Sequence, residues 1–242
     1  AASTRWGPAI PAGLVTALDV GTTKVCCFIA RADGEGGLKV KGIGHHLAKG
    51  VRAGAVIDMD AAENSLRRAV DAAETMAGET VRTAYVNLSG GRQRSQIIGV
   101  EVSVAGNQVT DIDTIRAADQ AMIRADTSGR EVIHAVPTHY SIDGASGIRD
   151  PRGMYGSKLG VNLHVVTADS SPARNLAVCV ERGHLETLGP VASAYASGLS
   201  VLVEDEMNLG ATVIDMGGGT TTMAVFFEGA LALIETIPVG GQ

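Results

Sequence analysis

Two aspartates, Asp19 and Asp215, each stand at the mouth of a turn made of glycine and threonine. The first turn reads Gly21-Thr22-Thr23-Lys24 and the second Gly217-Gly218-Gly219-Thr220. Each turn follows an apolar run, Ala17-Leu18 or Val213-Ile214, and leads into another, Val25 to Ile29 or Met223 to Phe226. A further glycine-containing turn then precedes a third run, Leu38-Lys39-Val40 or Leu231-Ala232-Leu233. Tight turns of this composition present backbone N–H groups that converge on an anion. Glycine allows φ > 0 and close approach to a ligand, and threonine adds hydroxyl donors. A carboxylate repels a bare phosphate, so Asp19 and Asp215 fit beside a Mg²⁺ ion that keeps its waters and is held through them. The two hairpins therefore predict paired phosphate-holding loops facing each other across a cleft.

The elements that must position these loops are read from periodicity and punctuation. Residues 14–30 read as a hairpin and 38–47 as a third strand. Asp60, with Glu63 three residues on, reads as the cap of a helix whose apolar positions are Leu66, Ala69, Val70, Ala73 and Met76, ending at Gly78. Val81–Leu88 reads as a strand. Ser89-Gly90-Gly91-Arg92 is a break, and 95–104 alternates like an exposed strand, with Arg92 and Arg94 on a solvated edge. A helix is predicted from about Asp111 to Ala125 with Ile112, Ile115, Ala118 and Met122 on one face. Glu131–Tyr140 is a strand that Pro137 favours placing at an edge. The stretch 143–153 is a turn-rich loop, and Val161–Ala168 is a strand. Ser171-Pro172 opens a helix ending at Gly183, and another is predicted from near Pro190 to Val203. The second hairpin follows.

Bulk properties bound the answer. At 242 residues, 45% hydrophobic and with 31 Gly, the chain is a folded α/β protein. Aromatics supply only 3%, so its cores are aliphatic. A net charge of −6 without a Lys/Arg run argues against nucleic acid as a partner. Cys26, Cys27 and Cys179 make neither a disulfide framework nor a zinc spacing, and they point to a reduced compartment. No apolar run reaches the roughly 18 residues of a membrane span. Residues 1–13 read as a flexible tail. Asp58 and Asp60 are spaced like a metal pair, but capping is the simpler role for Asp60. His45, His46, His134 and His139 lack a companion ligand set.

The two Asp-bearing turns resemble the phosphate motifs of the actin-like ATPase superfamily. Within it, the chain resembles the FtsA family of bacterial cell-division proteins. The resemblance is carried by Gly50-Val51-Arg52-Ala53-Gly54-Ala55-Val56-Ile57-Asp58, by Asp143-Gly144 with Gly147 to Gly156, by His164-Val165-Val166-Thr167, and by the run from Ala192 to Val225. It implies an α/β, actin-like (ribonuclease H-like) domain with an inserted α+β subdomain and a second actin-like domain that is cut off. Subdomain IA would comprise 12–88 plus 170–209, subdomain IC 89–169, and the start of IIA 210–242. ATP and Mg²⁺ would sit between Asp19, Gly21, Thr22, Thr23 and Lys24 on one side and Asp215, Gly217, Gly218, Gly219 and Thr220 on the other. The family links FtsZ filaments to the inner membrane, self-associates, and recruits later division proteins through IC. It is cytoplasmic and peripheral on the inner membrane face at the division site. Its adenosine-binding motif, its FtsZ-docking subdomain and its membrane-binding C-terminal helix would all lie beyond Gln242. Pro190 to Gly198 resembles the superfamily's connecting helix. Hydrolytic relatives place a Glu or Gln just before it, where this chain has Gly189, so at most weak ATPase activity is implied. Two other readings share the superfamily: a pilus-assembly actin-like protein and a small-molecule kinase. The kinase would need a carboxylate base near the cleft.

Overall fold

The computed structural model describes residues 12–242. Of the tail expected over 1–13, all but Ala12 and Gly13 lies outside the described residues, and Gly13 already belongs to the first strand.

The chain begins as an antiparallel meander of β1 (Gly13–Val20), β2 (Lys24–Ala32) and β3 (Leu38–Leu47). A miniature hairpin, β4 (Val51–Arg52) and β5 (Ala55–Val56), leads into α1 (Met59–Ala77) and then β6 (Thr83–Leu88). The helix cap is Asp58 and not Asp60: the Asp58 carboxylate accepts from the Ala61 N–H at 3.1 Å, while Asp60 pairs with Arg182 at 2.6 Å. Gly78 ends the helix with φ 68°, as its composition predicts. The inner face of α1, with Leu66, Ala69, Val70 and Ala73, lies directly on β3. Glycines make that approach possible, since a Cβ at Gly42 or Gly44 would stand 2.1 Å from Ala73 O or 1.9 Å from Ala69 O.

The chain then leaves this layer for β7 (Arg94–Ser103), α2 (Asp111–Arg124), β8 (Arg130–Ile142), β9 (Ala145–Ile148) and β10 (Lys158–Asp169). It returns through α3 (Ser170–Arg182) to β11 (Glu186–Ala192), which lies parallel to β6. Helices α4 (Ser193–Val201) and α5 (Glu204–Leu209) precede a second meander, β12 (Ala211–Met216), β13 (Thr221–Phe227) and β14 (Ala230–Ile237). One sheet runs β11-β6-β1-β2-β3 and the other β12-β13-β14-β7-β10-β8-β9. The two halves of the larger sheet join where Glu235 pairs with Arg94, reinforced by Ile234 N–H donating to Ser95 Oγ at 2.9 Å.

Several local expectations are corrected by tertiary pairing. Pro190 lies in β11 and the helix starts only at Ser193. Strand β7 is interior, flanked by β14 and β10, and Arg92 pairs with Asp169 at 2.6 Å. Strand β8 is not an edge strand, but β9 covers it only around Tyr140 and Ile142, so Pro137 sits in the uncovered stretch beside a bulge at Asn162/Leu163. Helix α2 is rotated from the expected face: Asp113, Ala117 and Ala121 are buried and Ala118 and Met122 pack beside them, while Ile112 and Ile115 are exposed. The buried Asp113 carboxylate explains this rotation. It accepts from Thr110 N and Oγ1 at 3.0 and 2.7 Å, from Ala105 N at 3.2 Å and from Arg116 at 2.8 Å. These bonds satisfy the charge inside and hold its pKa below the usual carboxylate value.

Candidate functional site

The two turns have the same geometry residue for residue. Gly21 N–H donates to Lys24 O at 2.9 Å, and Gly217 N–H to Thr220 O at 2.8 Å. Asp19 faces Cys26 across the first hairpin as Asp215 faces Thr222 across the second, and Val20 faces Val25 as Met216 faces Thr221. In each turn the two central residues, Thr22 and Thr23 or Gly218 and Gly219, find no protein acceptor for their N–H groups among the described residues.

The hairpins face each other. A cleft of about 410 Å³ is lined by Asp19, Gly21, Thr22, Thr23 and Lys24 from one loop and by Asp215, Met216, Gly217, Gly218 and Thr220 from the other. Gly219 packs alongside: a Cβ on it would stand 2.7 Å from Thr22 Oγ1 and 3.0 Å from the Ala53 backbone. A Cβ at Gly218 would stand 2.5 Å from the Thr23 methyl. Gly21 and Gly217 to Gly219 all keep φ outside the left-handed range, so backbone freedom is not what these positions use. At Gly218 and Gly219 the requirement is space between the loops.

Asp19 is the electrostatic centre of the first loop. Its pKa is raised, chiefly by burial and further by the charge of Asp215, against the opposing pull of Lys24 and a hydrogen bond from Asn87. Asn87 Nδ2 donates to Asp19 Oδ1 at 2.6 Å, while its Oδ1 accepts from Val20 N–H at 2.6 Å. Asn87 thus orients the carboxylate and ties β6 to β1, and it lines the cleft with Ser89. The floor is α4, which contributes Ser193, Ala196 and Ser197. Ser197 Oγ lies 3.4 Å from Asp215 Oδ2. Sequence reasoning missed Asn87 and these serines; the one available signal was a lone amide inside the apolar run Val86-Asn87-Leu88. Gly189, in β11 with φ 137°, does not line the cleft.

The tip of the β4–β5 hairpin is wedged behind both loops. Ala53 and Gly54 have φ 47° and 70°, as a tight hairpin turn demands. Gly54 N–H donates to Thr22 Oγ1 at 3.3 Å, and a Cβ on Gly54 would stand 2.5 Å from the Gly90 Cα, where the chain enters the inserted section.

No group of three or more His, Cys, Asp or Glu side chains suited to a metal gathers among the described residues. Of the carboxylates among the described residues, Asp19 and Asp215 line the cleft and suit a hydrated divalent cation, whose charge would offset the burial and the Asp215 repulsion that raise the Asp19 pKa. Cys26, Cys27 and Cys179 are free and buried. His134 Nε2 accepts from Ala192 N–H at 3.0 Å, and His139 faces Glu228 at 3.3 Å. No helix among the described residues is long and apolar enough to cross a membrane.

Comparison with known proteins extends this picture. A family profile described as "SHS2 domain inserted in FTSA" matches residues 90–167. The cell division protein FtsA of Agrobacterium fabrum is 45% identical over 95% of this chain and 54% of its own length. That of Pseudomonas aeruginosa is 36% identical over 95% of the chain and 55% of its own length, and that of Escherichia coli 32% over 95% and 54%. The chain spans about half the length of the curated relatives it matches. Among solved structures, the PilM-PilN type IV pilus biogenesis complex aligns with a TM-score of 0.64 at 11% identity, covering 96% of this chain and 63% of the other. The ethanolamine utilization protein EutJ of Carboxydothermus hydrogenoformans aligns with a TM-score of 0.51 at 16% identity, covering 97% and 55%. The fold is the α/β, actin-like one expected from the sequence, with an inserted α+β subdomain.

Proposed function

We propose that the chain is part of a cell-division protein of the FtsA kind, supported by its 32–45% identity to curated FtsA proteins over 95% of its length, that its two loops hold the phosphates of ATP with Mg²⁺, and that this binding sets the state of a scaffold at the bacterial division septum. In this reading the N–H groups of Thr22, Thr23, Gly218 and Gly219 receive the phosphate oxygens, with Lys24 and the hydroxyls of Thr22, Thr23 and Thr220 at the cleft wall. Asp19 and Asp215 hold Mg²⁺ through its waters, and the ion supplies neutralisation of the phosphate charge. Asn87 and Ser197 fix the two carboxylates. No Glu or Gln lines the cleft among the described residues to orient an attacking water, so hydrolysis is at most slow. The observation that carries the reading is the shared cleft: two hairpins of identical register, each with an Asp, open onto one hollow.

The scaffold links FtsZ filaments to the inner membrane, associates with itself and engages later division proteins through the inserted section 89–169, with 12–88 plus 170–209 as IA and 210–242 as the start of IIA. The kinase reading has less support, since Asp19 and Asp215 are the only carboxylates lining the cleft among the described residues, and both are assigned to the metal. Titration of this chain, and of one extended to its relatives' full length, with MgATP is the test. Saturable binding that weakens when Asp215 becomes Asn is expected. Absence of binding in the extended chain would refute the assignment.

A further inference from the structure

The inserted section makes a polar contact with the floor of the cleft. His134, on β8, accepts a hydrogen bond at Nε2 from Ala192 N–H at 3.0 Å. Ala192 is fully buried and immediately precedes α4, the helix that brings Ser193, Ala196 and Ser197 to the cleft. The same imidazole packs edge-on against Tyr195 with ring centroids 5.1 Å apart. Tyr195 in turn stacks on Phe226 at 6.1 Å, inclined by 18°. Phe226 lies on β13, the strand that leaves the second loop, and is packed so tightly on α4 that a Cβ at Gly198 would stand 2.3 Å from its ring. A continuous column therefore runs from the insert through α4 to the second loop's hairpin, every member of it in direct contact with the next.

Two features make His134 more than a filler. An apolar side chain of similar size would leave the Ala192 N–H buried without an acceptor, which is destabilising. Burial also holds His134 neutral, with its pKa lowered to about 4, so Nε2 keeps the lone pair that the bond needs and Nδ1 carries the hydrogen.

We propose that His134 is a positioning residue through which the inserted section and the cleft-lining helix α4 sense each other, so that a nucleotide bound between the loops alters the insert by way of α4. This rests on the nucleotide reading above. Coupling of this kind is reciprocal: whatever the bound cleft does to β8, an insert held in one arrangement does to nucleotide affinity.

The test is amide hydrogen exchange on the full chain with and without MgATP, in the wild type, His134→Phe and His134→Gln. In the wild type, MgATP is expected to slow exchange at 22–23 and 218–219, and also at Ala192 and 130–136, by at least about fivefold. H134F should keep the effect at the loops and lose it at 130–136. H134Q, whose side-chain oxygen can accept from Ala192, should restore it. Undiminished transmission in H134F would overturn the proposal and point instead to the Gly54–Gly90 contact. Protection of the loops in the wild type without any change at 130–136 would also overturn it, even if H134F failed to fold. No protection at the loops would remove the nucleotide reading itself, and the proposal with it.

Discussion

Replacing His164 by Leu tests how the fold carries a polar side chain it does not satisfy. His164 lies on β10 in the stretch that resembles the FtsA family, is 0% exposed, and has no partner for Nδ1 or Nε2 among the described residues. Its pKa is lowered to about 4, by burial first and by the nearby His134 second. Native protein therefore holds the imidazole neutral, whereas the unfolded chain protonates it near pH 6.5. Stability from this depression is complete above the unfolded value. It is lost as pH falls from 6.5 towards 4, because the unfolded state binds the proton first. With those two values the loss by pH 4.5 is about 2.5 kcal/mol. Leu has no proton to bind and no unsatisfied nitrogen, so H164L should be more stable than wild type at pH 8 by about 1–2 kcal/mol. The difference should widen by about 2.5 kcal/mol at pH 4.5. Urea unfolding of both proteins from pH 8 to 4.5 gives the comparison, and the subtraction cancels the carboxylates common to the two. A difference that stays constant across this range would show that His164 takes up its proton in the native state as readily as in the unfolded chain, and the reasoning would fail.

Other substitutions probe the remaining contacts. G198A places its Cβ within 2.4 Å of two Phe226 ring carbons and should destabilise by about 1–3 kcal/mol, read as a lower urea midpoint with unchanged m. G219A should weaken MgATP binding at least about tenfold, because its Cβ meets Thr22 Oγ1 and the Ala53 backbone and forces the loops apart. G217A, whose Cβ meets only Thr220 at 3.4 Å, should keep the fold within about 0.5 kcal/mol of wild type and serves as the stability control. Calorimetric titration separates these two, and equal affinities would count against the loop assignment. D169A strips Arg130 of its carboxylate partner at 2.6 Å and should cost about 1–3 kcal/mol in chemical denaturation.

The loops were legible in the sequence because their signal is local. A period-two apolar run, an Asp and a Gly/Thr turn specify hairpin, register and face together. The α1 C-terminus was legible for the same reason, since Gly78 needs only its own φ. Asn87 was not: one amide in an apolar strand acquires meaning only when β6 lies beside β1 and sets it against Asp19. Strand β11 was hidden because Pro190 looks like a helix start and Gly189 breaks the alternation, whereas the parallel pairing with β6 overrides both. The rotation of α2 was missed because hydropathy ranks Ile112 above Asp113, while the buried carboxylate at the cap decides which face turns inward. The junction of β14 with β7 joins residues far apart in the chain, which no local pattern reports.

The ends of the inserted section meet. Asp169 N–H donates to Gly91 O at 2.7 Å, and Arg130 ties the two crossing strands together through Asp169, Thr167 and the Arg92 carbonyl. A segment whose first and last residues are already neighbours demands little of its carrier through the chain joints themselves; its demands run through Arg94 and Ser95, which meet β14, and through His134. Its length and content can drift, since closure entropy grows only with the logarithm of the span. Such a doorway lets evolution, or an engineer, swap one module for another, provided that the newcomer supplies a strand for β14 to meet.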